Sequence, residues 1–295
     1  GPDGIADIFT IPAKNTSVRS VAAGPNNDIW FTGYNRGVVG RTTAAGQINL
    51  FSAKVSKPKS KDMTLGPDGN LWFATNAGRL GRTTPGGETK LFKIKNKKKK
   101  PSALTVGGDG NIWFVQQSDK NGKKKKSSKK TLARMTPWGK VTEFQAKSGL
   151  RKSYGITTGP DGRIWFCDPE RKRIGRMALN GSGLTYFKKG LKGTPISIIT
   201  GPDNQMYFGE KEGRIGRISV SGKITEYPIP GAAGTKKFPV QGLTVGPDGD
   251  VWFVNDRRSQ VGKLRLATGN VDCVNGVWNN LEACGWPGPA HTGHP

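Results

Sequence analysis

Gly201 to Pro230 reads GPDNQMYFGEKEGRIGRISVSGKITEYPIP. A Gly-rich turn leads into a short apolar-aromatic run, MYF, a second run, RIGRI, follows another turn, and a third, ITEYPIP, follows one more. Ahead of the first turn comes a small apolar run, best seen in another copy as Gly155-Ile156-Thr157-Thr158 before the GPDG at Gly159. Such short runs, rich in Val, Ile, Thr and aromatics and punctuated by Gly and Pro, are strands rather than helices. The turn glycines and Asp-Gly pairs permit the positive φ that tight hairpins need.

The same pattern occurs six times along the chain, phased by an aromatic after the Gly-rich turn at Trp30, Trp72, Trp113, Trp165, Tyr207 and Trp252, in steps of 42, 41, 52, 42 and 45. A period near forty residues made of short strands is one supersecondary unit per repeat. Four antiparallel strands repeated radially are the blades of a β-propeller, and the repetition protects the sheet edges. A helical solenoid of similar period is excluded by the length of the runs and their turn residues. The expected fold is therefore all-β, a propeller of four-stranded antiparallel blades over residues 1–274, with 275–295 as a C-terminal tail.

Six sets of inner strands favour six blades, and seven stay open if the tail contributes strands, although 275–295 hold no GPDG-WF copy. The outer strand carries an aromatic about twenty residues after the phasing one, at Phe51, Phe92, Phe187 and Tyr227, and at Phe144 in the third copy, where the insert lengthens the interval to 31. Phe9 stands 21 before Trp30, as Phe51 stands 21 before Trp72, so the N-terminal strand is expected to complete the last blade and close the ring. Asn270 to Cys273 falls in the phase of another outer strand and competes for that edge.

Composition sets the partners. An apolar fraction of 34% suits half-buried strands, and no run reaches the length of a membrane helix. Cys167, beside Trp165 and Phe166, is expected as a buried free thiol. Cys273 and Cys284 could staple the tail as a disulfide, or stay reduced. No CxxC occurs and the two histidines, His291 and His294, sit in the terminal HTGHP, so no metal site is expected. Against this stands the charge: 47 Lys and Arg and 21 Asp and Glu leave +26, which speaks to partners rather than to fold.

Strand order assigns that charge. In a blade, the connection from the outer strand to the next inner strand and the loop between second and third strands emerge on one side. The GPDG turns and the third-to-fourth turns emerge on the other. The first side collects Arg19, Lys59, Lys61, Lys97, Lys98, Lys99, Lys100, Arg151, Lys152, Lys188 and Lys189, and the insert that lengthens the third copy adds Lys123, Lys124, Lys125 and Lys126. The other side carries the acidic residues of the repeat, Asp68, Asp109, Asp161, Asp203 and Asp248. Cations spread over every copy yet gathered on one side favour an anionic polymer as partner, either an acidic polysaccharide or nucleic acid, bound with a steep salt dependence.

The segments GPDGNLWF at Gly66, GPDGRIWFCDPERKRIGRM at Gly159 and EGRIGRISVSGKITEYPIP at Glu212 resemble the streptogramin B lyase (virginiamycin B lyase) family over about residues 5 to 274. The resemblance implies a seven-bladed propeller and a magnesium-assisted elimination that opens a cyclic depsipeptide. It places histidines just ahead of inner strands and a glutamate after a WF strand. Position by position, the histidine slots hold Arg19, Lys61, Ser102, Tyr154, Ile196 and Gln241. The slot two past the WF phenylalanine holds Gly33, Thr75, Gln116, Asp168, Glu210 and Asn255. Without an imidazole that chemistry lacks its proton carrier near neutral pH.

Two functions follow. The first is a non-catalytic propeller, a monomer without cofactor, that grips a polyanion through the lysine-rich side. The second is a lyase eliminating across a uronic-acid polysaccharide, with Tyr154 moving the proton and Asp168 or Glu210 orienting a base or holding a divalent ion such as Mg²⁺. The Asn15-Thr16-Ser17 and Asn180-Gly181-Ser182 sequons, with the two late cysteines, favour an extracellular or secreted setting.

Overall fold

A computed structural model describes residues 10–14, 16–43, 45–60, 62–95, 99–118, 130–146, 155–232, 238–255 and 260–274. The first sheet holds β1 (Val18–Ala23), β2 (Ile29–Gly33), β3 (Val38–Thr42) and β4 (Ile48–Ser52). The second holds β5 (Met63–Leu65), β6 (Leu71–Ala74), β7 (Arg79–Thr83) and β8 (Thr89–Lys93), and the third β9 (Lys99–Val106), β10 (Ile112–Ser118), β11 (Lys130–Met135) and β12 (Val141–Gln145). The fourth is β13 (Ile156–Thr158), β14 (Ile164–Asp168), β15 (Arg173–Met177) and β16 (Thr185–Phe187). The fifth is β17 (Pro195–Thr200), β18 (Met206–Glu210), β19 (Arg214–Ile218) and β20 (Ile224–Pro228). The sixth is β21 (Gly242–Val245), β22 (Val251–Asn255), β23 (Gln260–Leu264) and β24 (Val271–Val274).

Within every sheet the strands lie in chain order, paired antiparallel as in the β18–β19 register of Tyr207 opposite Arg217. These are the six four-stranded blades of a β-propeller. Contacts divide the chain into two units, the first two blades and most of the third in one, the fourth to sixth in the other. The sixth blade has its own fourth strand, β24, in the position that the sequence assigns to the N-terminal strand. Residues 1–9, including Phe9, lie outside the described residues, as do 275–295 and hence any Cys273–Cys284 pairing.

One set of contacts recurs from blade to blade. The phasing aromatics Trp30, Trp72, Trp113, Trp165 and Tyr207 are fully buried, each worth up to ~4–6 kcal/mol by area removed from water. The phenylalanine after the aromatic lies across the third strand's glycine: a Cβ on Gly81 would sit 2.1 Å from the Phe73 ring, and one on Gly216 1.9 Å from Phe208. That contact is why the third strand reads IGR and not IAR. The outer aromatic stacks on its own blade's tryptophan, Phe92 on Trp72 at 5.1 Å and Phe187 on Trp165 at 5.2 Å. It also covers the positive-φ glycine in the next blade's third-to-fourth turn, Phe92 over Gly139 and Phe187 over Gly222.

The repeat's acidic residues are not a free negative surface. Asp68 accepts the Trp72 indole N–H at 3.0 Å and pairs with Arg82 at 3.3 Å, and Asp161 does the same with Trp165 at 2.9 Å and Arg176 at 3.3 Å. In the fifth blade Tyr207 donates its hydroxyl to Asp203, and in the sixth the Trp252 indole donates to Asp248, which also binds Lys263 at 2.9 Å. Burial alone would raise the Asp68 carboxyl, but bonds from Asn70 and Trp72 and the Arg82 charge hold it below its ordinary value. The indole and Lys263 hold Asp248 down at about 2. The same arginines lie over the ring, Arg176 at 5.2 Å from the Trp165 centroid, and donate to the next blade's backbone, Arg82 to Pro137 O at 3.0 Å and Arg176 to Val220 O at 2.6 Å.

Candidate functional site

The opposite end of the blades carries, among the described residues, Lys59, Arg171, Lys172, Lys188 and Lys189. There the turn between second and third strands is hydrogen-bonded to an outer-to-inner connection: Lys59 N–H to Tyr34 O at 3.1 Å, Asn76 N–H to Pro58 O at 2.8 Å and, in the other unit, Lys211 N–H to Thr194 O at 2.9 Å. This juxtaposition is the one that strand order predicts.

In the fourth blade β14 ends at Asp168 and the chain turns through Pro169-Glu170-Arg171-Lys172 into Arg173. The turn closes with Arg171 N–H to Asp168 O at 3.2 Å, and Lys172 takes a left-handed φ of 47° to complete it. Arg173 is fixed on both sides: its Nε donates to Asp168 Oδ2 at 2.8 Å and its guanidinium carbon lies 3.4 Å from the Tyr186 ring centroid. Tyr186 is itself anchored, its hydroxyl donating to Ala146 O. Glu170, Arg171, Lys172, Arg173 and Lys188 line one shallow cleft. Arg171, Lys172, Lys188 and Lys189 are exposed, and none has an ion-pair partner among the described residues.

The fifth blade shows how the neighbouring connection is held. Three successive amides each bind a different carboxylate: Lys192 N–H donates to Glu226 Oε1 at 2.7 Å, Gly193 N–H to Glu210 Oε1 at 3.1 Å and Thr194 N–H to Glu212 Oε2 at 2.7 Å. Gly193 is obligatory, since a Cβ there would stand 2.2 Å from Glu210 Oε2. Arg214 lies 3.9 Å from both Glu210 and Glu226, one cation between two buried acids. Burial, and then the adjacent Glu226, push the Glu210 carboxyl upward. In the second blade burial pushes Asp62 up to about 7, against the N–H groups of Leu104 and Met63. Asp62 Oδ2 accepts Leu104 N–H at 2.6 Å and so ties the second blade's inner strand to the third's.

The proposed lyase residues sit differently from what a base requires. Asp168 and Glu210 are both fully buried at the ends of β14 and β18, committed to Arg173 and to Gly193 with Arg214. A magnesium ion wants several oxygen ligands plus waters in octahedral array; Asp168 Oδ2 is held by Arg173 and Glu210 Oε1 by the Gly193 amide, and although Asp168 Oδ1 and Glu210 Oε2 are buried without a hydrogen bond, the described residues contain no cluster of acids, His or Cys able to hold a metal. The described residues therefore do not fit the ion. Tyr154 lies outside the described residues, as do Lys61, Lys97, Lys98, Lys123, Lys124, Lys125, Lys126, Arg151 and Lys152, and the side chain of Arg19.

Of the remaining basic candidates, Lys59, Lys188 and Lys189 are exposed, while Lys99 is only 3% exposed because β9 runs eight residues and draws the end of the lysine run into the sheet. Lys100 is half-buried. Arg171 and Lys172 were not among the candidates; the signal for them was PERKR in the second-to-third turn, the same phase as the lysine insert of the third copy. Cys167 is a buried free thiol, and desolvation raises its pKa.

Fold and repeat chemistry define a β-propeller of six four-stranded blades, with the Asp–Trp–Arg set in the second and fourth, Tyr207 in place of the indole in the fifth and Lys263 in place of the guanidinium in the sixth. The virginiamycin B lyase family matches residues 1–126 and 118–274, and the chain belongs to it. A solved virginiamycin B lyase from Staphylococcus aureus is 26% identical, with a TM-score of 0.79 over 90% of this chain and 86% of that one. A streptogramin B lyase structure is 22% identical at TM-score 0.77, covering 90% and 85%. A calcium-binding regucalcin from Agrobacterium tumefaciens shares the fold at 17% identity and TM-score 0.58, covering 81% of each chain. No curated protein matches the sequence. Among the described residues no helix is long and apolar enough to cross a membrane.

Proposed function

We propose that this member of the family is a binding propeller for an anionic polymer rather than a lyase. The observation that carries the reading is the set of exposed cations without ion-pair partners among the described residues, Arg171, Lys172, Lys188 and Lys189, where the fourth blade's second-to-third turn meets its outer-to-inner connection. A net charge of +26 supplies the long-range field, and lysines give affinity with little geometric demand. The polymer is an acidic polysaccharide or nucleic acid, the protein acts as a monomer without a cofactor, and the setting is extracellular. Asn180 in the exposed sequon Asn180-Gly181-Ser182 is consistent with that setting.

The lyase relatives set the alternative. A catalytically inactive virginiamycin B lyase, with a histidine replaced by alanine, has been solved with quinupristin. Here the chain's histidines are confined to His291 and His294, and both carboxylates available for a base are buried in ion pairs or amide contacts. Retention on immobilised heparin and on duplex DNA across a salt series tests the binding reading: it requires retention at low salt that falls steeply and linearly in log–log form. No retention at low salt would refute it. Release of unsaturated product from a panel of uronic-acid glycans, read in the ultraviolet, would instead establish the lyase.

A further inference from the structure

The geometry points to the cleft of the fourth blade as a subsite for one terminal sulfate group of an acidic polysaccharide, a deepening that rests on the binding reading above. Four cations, Arg171, Lys172, Arg173 and Lys188, face the cleft together with Glu170. Asp168 lies behind Arg173. Four cations against two carboxylates leave a surplus of two, concentrated in a single concavity.

The cations are not equivalent. Arg173 forms a preorganised floor: its Nε is held by Asp168 and its plane lies over Tyr186, so binding an oxyanion there orders nothing new. A guanidinium fixed in this way presents its outer N–H edge as a fork for two oxygens. The walls are mobile-headed side chains from two different segments, Arg171 and Lys172 from the β14–β15 turn and Lys188 from the connection after β16. Lys172 takes a left-handed φ of 47° in completing the turn that carries both Arg171 and Lys172.

A floor with walls on two sides suits a group that ends the branch it sits on. A sulfate ester offers three terminal oxygens and one point of attachment. An internal phosphodiester offers two oxygens and needs two exits for its chain, and a uronic carboxylate offers two oxygens in one plane. Among the described residues the lining has no aromatic face for a base to stack on and no side-chain amide to read a base edge. The exposed indole at hand, Trp138, lies in the β11–β12 turn, at the other end of its strands. Sulfated glycan is therefore favoured over nucleic acid.

The test compares two double variants of equal charge change, Arg171→Gln with Lys188→Gln in the cleft, and Arg163→Gln with Lys223→Gln in turns at the opposite end of the strands. Binding of heparin, of N-acetylated desulfated heparin that keeps its carboxylates, and of duplex DNA is measured on each. In parallel, inorganic sulfate is titrated into the intact protein and followed through backbone amide resonances. The expected result is a roughly tenfold loss of heparin affinity for the cleft variant and less than twofold for the other. Desulfated heparin should bind the unaltered protein weakly and be indifferent to the cleft variant, and sulfate should shift amides in 170–173 and 188 selectively. Equal losses in the two variants, or sulfate shifts spread over the surface, overturn the subsite while leaving the binding reading standing. DNA binding that depends on the cleft as strongly as heparin does overturns the choice of ligand. Absence of heparin and DNA binding by the unaltered protein overturns both.

Discussion

The two ends of a blade use charge in opposite ways. At the GPDG end every acid whose partners are described is committed: Asp161 to the Trp165 indole and Arg176, Asp68 to Trp72 and Arg82. At the other end of the fourth blade Arg173 is committed to Asp168, while Arg171, Lys172 and Lys188 are exposed and have no ion-pair partner among the described residues. Charge that is paired within the blade builds the fold; charge left over is available to a partner. Losses at the first end should therefore appear in stability and losses at the second in binding.

The largest effect expected is on stability. Trp165→Ala removes a fully buried ring and should cost about 3–5 kcal/mol in chemical denaturation, with heparin retention unchanged wherever the variant is still folded. Asp161→Ala leaves the Trp165 indole N–H without its acceptor and Arg176 without its carboxylate, though still bonded to Val220 O, and should cost about 1–3 kcal/mol, again without altering the salt slope. Equal losses of binding in these variants would break the comparison. Next comes the cleft pair, Arg171→Gln with Lys188→Gln, whose loss in affinity should come with a midpoint of unfolding within about 0.5 kcal/mol of the unaltered protein.

A smaller effect separates buried charge from both ends. Asp62 titrates at about 7 in the fold against an ordinary 3.8. Its contribution is fully present below about pH 4 and is lost as pH rises through 7, because the folded state binds the extra proton in that interval. Asp62→Asn should flatten this part of the stability profile between pH 4 and 8 and stabilise the protein most at the alkaline end. A profile unchanged in slope would show that the Leu104 N–H contact, not desolvation, governs this carboxyl. The smallest effect is assigned to Lys223→Gln, within about 0.5 kcal/mol in stability and less than twofold in heparin binding.

The fold was legible because its signal repeats. An aromatic every forty or so residues, flanked by turn glycines, is enough to place six blades, though not to decide which end of the chain supplies the last outer strand, β24 in the structure, and even to say which turns share an end, as the Lys211 to Thr194 and Lys59 to Tyr34 bonds show. What the repeat does not announce is pairing across strands. The Asp at the GPDG turn looks like a solvated acid until Trp72 is seen opposite Arg82, which brings indole, guanidinium and carboxylate together. Lys99 looked like part of a solvated run because nothing in a string of lysines marks where β9 begins. Asp168 and Glu210 were found by alignment with a catalytic slot, but their burial depends on partners, Arg173, Gly193 and Arg214, that periodicity cannot supply. Arg171 and Lys172 were overlooked for the converse reason: two cations in a turn are unremarkable until Lys188 is known to share their cleft.

From the second blade on, the glycine of the third-to-fourth turn lies beneath the outer aromatic of the preceding copy, as Gly139 lies beneath Phe92 and Gly222 beneath Phe187. A repeat thus arrives with a lid for its predecessor and a ring that its successor must shelter. Duplication or deletion of one whole period preserves this bookkeeping at every junction, whereas a break inside a period orphans a ring.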